Sequence, residues 1–392
     1  MNCFIDVDSC QEYKQGQLVC GDTFLSHRVK EENRTILVLS DGLGSGIKAS
    51  VLATLTATMA TRFISSYKDI RHTAEIIMRT LPVCKVRKIN YATFTIVDIA
   101  NDLETQIIEY DNPPVLIARG SGFVTPERQT IEVGDSTSRT NAVRYTSFRA
   151  MPGDRIVMLS DGVTQSGMGT RSWPLGWGIE NVQDHVPGEI LQDEGISARE
   201  LSRSIVKKSL GNDVWRAKDD TSCGVVHFRE PRELLVLTGP PIAREKDRDM
   251  ADLVREFRGR LAISGGTTAN IISRELGRAV TVNLKDLDPA LPPKSEMEGI
   301  DLVTEGILTL GRVAEMLENN ESPEETPRNA ATELLELLLS SDRIRFVVGT
   351  RINEAHQDPN IPVELEIRRN VVKKIARLLE EGHLKEITVS YI

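Results

Sequence analysis

Asp41 and Asp161 stand in the same tripeptide, Ser-Asp-Gly, each directly after a short apolar run. Asp22 follows Gly21, and Asp219 opens the run Asp219-Asp220-Thr221-Ser222. Carboxylates drawn together from distant parts of a chain repel one another unless protons or cations come between them. An all-oxygen donor set suits hard divalent ions, Mg²⁺ or Mn²⁺, which keep several waters. Two such ions about 4 Å apart can activate water and stabilise phosphoryl transfer. One Ser-Asp-Gly is a weak signal, because an aspartate capping a strand before a glycine turn is common. Two copies, with Gly-Asp upstream and Asp-Asp-Thr-Ser downstream, form a far more specific pattern.

The elements that must hold these residues can be read from apolar patterning. Residues 36–39 and 156–159 are continuous apolar runs and read as buried strands. Gly42, Gly44 and Gly46 follow the first run and let backbone approach a ligand closely. A helix is expected over 49–64, with Leu52, Leu55, Met59 and Phe63 as its core face. A second is expected over 73–81, ending before Pro82. Residues 91–99 and 103–110 read as a hairpin turning at Ala100-Asn101-Asp102. Asn112-Pro113-Pro114 turns the chain again, and short strands follow at 115–118, 131–133 and 143–148. Residues 1–20 suggest a strand with a turn near Gln15-Gly16, where alternation places Asp6 and Asp8 toward solvent. Residues 165–195 are rich in glycine and proline and read as an irregular flap, with Trp173 and Trp177 either anchoring it or meeting a partner protein. Ser197 caps a helix over 197–210, and a strand over 223–228 follows the Asp-Asp pair.

Glu230-Pro231-Arg232-Glu233 marks a boundary between residues 1–229 and 230–392. The second segment alternates strands at 234–238, 261–264, 279–283, 301–304, 343–348 and 386–391 with helices near 246–259, 268–276, 306–318, 329–340 and 369–381, the pattern of an α/β domain. An acidic, proline-containing stretch at 319–327 interrupts it. Within it, Gly265-Gly266-Thr267-Thr268 joins a strand to a helix start. Such a junction can hold an anion, or be an ordinary capped turn. The expectation for 230–392 is a regulatory or ligand-binding domain.

Several pieces together resemble one family: Cys20-Gly21-Asp22-Thr23-Phe24, the run from Ser40 to Gly46, Asn112-Pro113-Pro114-Val115-Leu116, Ser160-Asp161-Gly162-Val163, Gly176-Trp177-Gly178-Ile179-Glu180 and Asp219-Asp220-Thr221-Ser222. Residues 1–229 are similar to the metal-dependent serine/threonine protein phosphatases of PPM type, and within them to the bacterial SpoIIE-like branch. The resemblance implies an α+β fold, an α–β–β–α sandwich of two stacked, mainly antiparallel sheets. It implies two Mn²⁺ or Mg²⁺ ions, with Asp41 between them, Asp22 and the Gly42 carbonyl on one, and Asp161 and Asp219 on the other. Asp220 stays open as an alternative to Asp219. Catalysis would then run through Asp41 and Asp161, by direct attack of a water shared by the metals, without a phosphoenzyme. Leu43 stands where eukaryotic members often carry a histidine, and no N-terminal phosphate-binding arginine is evident; the bacterial branch shares both absences. Arg28 and Lys48 are the candidates for phosphate contact, with solvated surface the competing reading. The implied substrate is a phosphorylated protein, with an anti-sigma-factor antagonist as the class known for relatives. The alternative of a different kind is a catalytically silent module of the same fold that binds partners.

The balance of charge fits that picture. With 48 basic and 57 acidic residues the chain carries a formal charge of −9, which implies no general affinity for nucleic acid or anionic membrane. The five cysteines lack CxxC spacing, so reduced thiols in a cytoplasmic protein are expected. The six histidines form no zinc-type cluster. No apolar run is long enough to span a membrane, and the first ten residues lack the pattern of a signal peptide. A homodimer is compatible with the sequence, which does not specify it.

Overall fold

The computed structural model describes residues 3–66, 70–80, 92–133, 141–283, 291–323, 326–351 and 361–392. Cys84 and the expected break at Pro82 lie outside them. The chain divides into two units, Met1–Glu230 and Pro231–Ile392.

In the first unit the elements follow as β1 Phe4–Glu12, β2 Asp22–Val29, β3 Arg34–Gly42, α1 Ile47–Ser66, α2 Ile70–Thr80, β4 Ala92–Ile99, β5 Glu104–Tyr110, β6 Leu116–Arg119, β7 Gly122–Val124, β8 Arg128–Val133, β9 Asn141–Arg149, β10 Arg155–Leu159, α3 Asp161–Thr164, α4 Gly178–Gln192, α5 Ala198–Asn212 and β11 Thr221–Arg229. Two antiparallel sheets form, in the orders β1-β11-β10-β6-β7 and β2-β3-β4-β5-β9-β8. The strands at the heart of each sheet are apolar on both faces because each is covered twice. Leu37, Leu39, Val97 and Ile107 of one sheet pack against Ile117, Ile156, Met158 and Phe228 of the other. Ile36, Val38 and Ile96 face α1 and α2 instead. Val157, Leu159 and Val225 face α4 and α5. The layers therefore run α–β–β–α, the sandwich expected from the sequence.

Three local expectations are corrected. Helix α1 buries Ala49, Ala53, Thr56, Ala57, Ala60 and Ile64; of the expected stripe, Leu52, Met59 and Phe63 are only half-buried, Phe63 packing against the core edge, and Leu55 is exposed. Small side chains let the helix lie close on β3, and Val51 and Leu55 remain 60% and 47% exposed. Residues 178–192, expected to be irregular, form α4 despite Pro187. Val182, Val186 and Ile190 recur every four residues, and their burial outweighs the cost of Pro187 and Gly188. Of the expected stretch, 165–177 and 193–195 remain irregular, and Trp177 anchors the first of these in the core. Asp6 and Asp8 do not face solvent. β1 packs against α5, where Asp6 accepts from the Ala198 N–H at 3.3 Å and pairs with Arg229 at 3.2 Å. Asp8 sits half-buried near Arg199, and desolvation holds its carboxyl above the usual range.

The second unit carries β12 Glu233–Thr238, α6 Asp247–Glu256, β13 Arg260–Ser264, α7 Gly266–Leu276, β14 Val280–Val282, β15 Ser295–Met297, β16 Ile300–Thr304, α8 Ile307–Glu318, α9 Ala330–Leu339, β17 Arg343–Val348, α10 Ile361–His383 and β18 Glu386–Tyr391. Its sheet runs β14-β15-β16-β13-β12-β17-β18. The last five in that order pair in parallel. Counted along the chain, they lie 3-2-1-4-5, a doubly wound order. One face packs on α8, α9 and α10, the other on α6 and α7. No helix among the described residues is long and apolar enough to cross a membrane.

Candidate active site

Strand pairing brings the first two aspartates together. Asp22 opens β2 and Asp41 lies near the end of β3, and the antiparallel register places them directly opposite one another. Gly42 then donates its N–H to the Gly21 carbonyl at 3.3 Å. Neither glycine has room for a side chain. A Cβ on Gly42 would overlap the Ala49 backbone of α1, and one on Gly21 would stand 2.6 Å from Asp220 Oδ2. The turn after β3 is thus pinned between β2 and the start of α1.

The other sheet supplies the rest. Asp161 is the first residue of α3, at the end of β10, and Asp219 and Asp220 immediately precede β11. β10 and β11 pair antiparallel, and Ser160 and Ser222 clamp their ends. Ser160 N–H donates to the Ser222 carbonyl at 3.0 Å, and Ser222 N–H to Ser160 Oγ at 2.9 Å. Gly162 lies so close to the Asp220 carbonyl that a Cβ there would overlap it.

The carboxylates meet at Asp41. Asp22, Asp161 and Asp219 all act electrostatically on it, while Asp220 acts on Asp22. Burial first, and then these like charges, push the Asp41 carboxyl up to about 9. Burial raises Asp22 to about 6, with Asp220 and Asp161 adding to it. The nearby Ser222 and Ser160 hydroxyls pull the other way, but neither completes a hydrogen bond of normal geometry to Asp22, whose two oxygens are buried without a partner. Asp161 is raised as well, by burial and then by Asp219. Asp219 is 40% exposed and meets Lys14 Nζ at 3.4 Å. Asp220 is buried, accepting the Lys14 N–H at 3.1 Å through Oδ1 and leaving Oδ2 unpartnered.

Two contributors escape sequence reading. Gln165 donates to Asp161 Oδ2 at 2.8 Å, four residues along the chain; the spacing alone could have flagged it. Lys14 lies 205 residues from Asp219 and carries no local signal. Asn112, inside a motif noted for its prolines, is buried under the site strands and accepts from Thr93 Oγ1 at 2.5 Å. Arg28 lies at the far end of β2 from Asp22, where it donates to Asn33 at 2.5 Å. Lys48 is exposed in the first turn of α1.

Among the described residues, no three Asp, Glu, His or Cys side chains gather tightly enough to hold an ion by themselves. Asp22, Asp161 and Asp219 act on Asp41, and the aspartates offer only oxygen donors. The orphaned oxygens of Asp22 and the raised carboxyls mark a place short of positive charge. That donor set fits hard divalent cations completed by carbonyl and water.

No curated protein matches the chain in sequence. Among solved structures, the phosphatase domain with a regulatory fragment of SpoIIE from Bacillus subtilis is 17% identical, with a TM-score of 0.47 over 58% of this chain and 63% of that one. The RsbU and RsbW domains of a Mycobacterium tuberculosis protein are 18% identical, with a TM-score of 0.47 over 64% and 69%. RsbX, solved in complex with magnesium, is 18% identical, with a TM-score of 0.40 over 57% and 95%. The family model of Stage II sporulation protein E matches residues 31–229, more than half of the chain, and the chain belongs to the SpoIIE family.

Proposed function

We propose that residues 1–229 form a metal-dependent phosphatase that hydrolyses phosphoserine or phosphothreonine on a partner protein. The observation that carries this reading is the convergence of Asp22, Asp161 and Asp219 on Asp41 from two different sheets. In this reading Asp41 is shared by two Mn²⁺ or Mg²⁺ ions. Asp22 and the Gly42 carbonyl serve one, and Asp161 and Asp219 the other. Asp219 is chosen over Asp220 because its charge acts on both Asp41 and Asp161, whereas that of Asp220 acts on Asp22. Bound there, such ions would supply charge neutralisation for a phosphoryl group and acidify water.

The chain's own residues prepare this. Backbone at Gly42 and Gly162 holds the two aspartate turns rigidly, Gln165 fixes the orientation of Asp161, and Lys14 restrains Asp219. A silent partner-binding module has no use for carboxylates that burial and mutual repulsion both disfavour, so the geometry favours chemistry. Family membership supports a phosphoprotein substrate of the anti-sigma-factor-antagonist class, with residues 230–392 as an accessory domain.

Phosphate release from phosphopeptides and phosphoproteins tests the reading. Full-length protein should hydrolyse them with Mn²⁺ or Mg²⁺ and stop in excess EDTA. Asp41→Asn should lose at least a hundredfold in turnover while staying folded. Undiminished hydrolysis after metal stripping would refute it.

A further inference from the structure

We infer that the carboxyl edge of the parallel sheet in Pro231–Ile392 is a binding site for a phosphorylated sugar, either free or as part of a nucleotide. Four parallel strands each reach a glycine at this edge: Gly239 after β12, Gly265 after β13, Gly306 after β16 and Gly349 after β17. Their backbones converge. A Cβ on Gly265 would stand 3.9 Å from the Gly239 nitrogen, and one on Gly306 would stand 3.6 Å from the Gly265 Cα. A Cβ on Gly349 would overlap the carbonyls of Gly239 and Pro240. Gly239 and Gly265 have φ of +82° and +139°, which side-chain-bearing residues rarely adopt. In a doubly wound sheet the crevice outside these strand ends, where the order reverses, is the usual ligand position. Here β12 is the reversal point.

A glycine turn at a helix start would not suffice. The independent observation is a set of buried hydroxyls without partners. Among the described residues, four threonine hydroxyls are buried and unpartnered, and three of them belong to this edge: Thr238, Thr268 and Thr309. All three are fully buried. Thr238 ends β12, immediately before Gly239. Thr268 and Thr309 occupy the same position in α7 and α8, three residues after the cap glycines Gly265 and Gly306. Thr268 Oγ1 is aimed at the turn, 3.3 Å from where a Gly265 Cβ would be. A buried hydroxyl left unsatisfied costs stability, so its retention calls for a partner.

The chemistry selects the ligand. The first N–H groups of α7 and α8 have no partner within their helices, and the N-terminal dipole of each helix favours an anion. The Arg368 guanidinium reaches the same place, with Nη1 2.8 Å from the Gly239 Cβ position. Hydroxyls, helix N–H groups and an arginine together form a phosphate site. Glu305 also stands here and accepts the Gly306 N–H. Its carboxylate disfavours a bare phosphate and can accept from sugar hydroxyls, which selects a sugar ester.

Calorimetric titration of the full chain, in EDTA so that no divalent cation can hold phosphate elsewhere, tests this. The probes are AMP, ribose 5-phosphate, inorganic phosphate, adenosine and ribose. AMP or ribose 5-phosphate should bind saturably, at least tenfold tighter than inorganic phosphate and than its own dephosphorylated parent. Whichever of the two binds tighter separates a nucleotide from a free sugar phosphate. Thr268→Val and Thr309→Val should each weaken binding at least tenfold, while the melting temperature without ligand stays equal or rises. Thr268→Ser should retain binding, and so should Thr146→Val, which removes the fourth unpartnered hydroxyl in the other unit. Absence of binding by both esters, or unchanged affinity in both valine variants, would overturn the proposal.

Discussion

Asp41→Asn should change stability in opposite directions with and without metal. In the metal-free fold the Asp41 carboxyl is raised from 3.8 to about 9. At pH 7 the unfolded chain carries this group ionised, while the fold must keep it protonated. The difference of about three pH units between 3.8 and neutrality corresponds to a ceiling of about 4 kcal/mol against folding. The neighbouring aspartates share that repulsion, so about 1–3 kcal/mol is expected from removing Asp41 alone. For a unit of this size that is a rise of roughly 3–8 °C in melting temperature. Scanning calorimetry in EDTA measures it, resolving the transition of the first unit from that of the second. Saturating Mn²⁺ should reverse the order. Wild type then gains stability by ligand linkage, whereas the variant has lost the shared ligand and gains little. A lower melting temperature for Asp41→Asn in EDTA would show that the carboxylates do not repel in the empty fold, and the site assignment would fail with it.

The same groups set a pH dependence. Their folded-state values are raised, so their contribution to metal-free stability is full below about pH 4 and lost as pH rises to about 9; melting temperatures in EDTA should fall across that window, and less steeply in Asp41→Asn. Gln165→Leu removes the hydrogen bond that orients Asp161, and the Mn²⁺ concentration for half-maximal phosphate release should rise about 10–100-fold. Gly162→Ala forces a methyl group into the Asp220 carbonyl, so activity should collapse and denaturant titration should show a loss of about 1–3 kcal/mol.

The strands around the site were legible because burial on both faces leaves continuous apolar runs. β3 and β10 are of this kind, and the aspartates at their ends stand out against them. The buried face of α1 was not legible. Periodicity favours the larger apolar residues, but a helix lying close on a sheet selects alanine, so Ala49, Ala53 and Ala57 do the packing. Helix α4 was hidden by Pro187 and Gly188, local signals that its buried face overrides. Asp6 and Asp8 alternate like surface residues, and only the docking of α5 on β1 reveals that they are covered.

The second unit shows where such reading stops. Its alternation of strands and helices was evident, and the Gly265-Gly266-Thr267-Thr268 junction was visible as a glycine turn before a helix. Whether that turn was an ordinary cap or an anion site depends on three facts held by no local stretch. The strand order 3-2-1-4-5 arises from pairing between β12 and β17, more than a hundred residues apart along the chain. The phase of α7 decides that Thr268, and not Thr267, is the buried hydroxyl. The same phase repeats in α8 at Thr309, after a glycine that the sequence does not distinguish from others. A single threonine after a glycine turn means little. Two at the same helical position, beside a third at the end of the central strand, all buried and none with a partner among the described residues, are the pattern on which the proposed site rests.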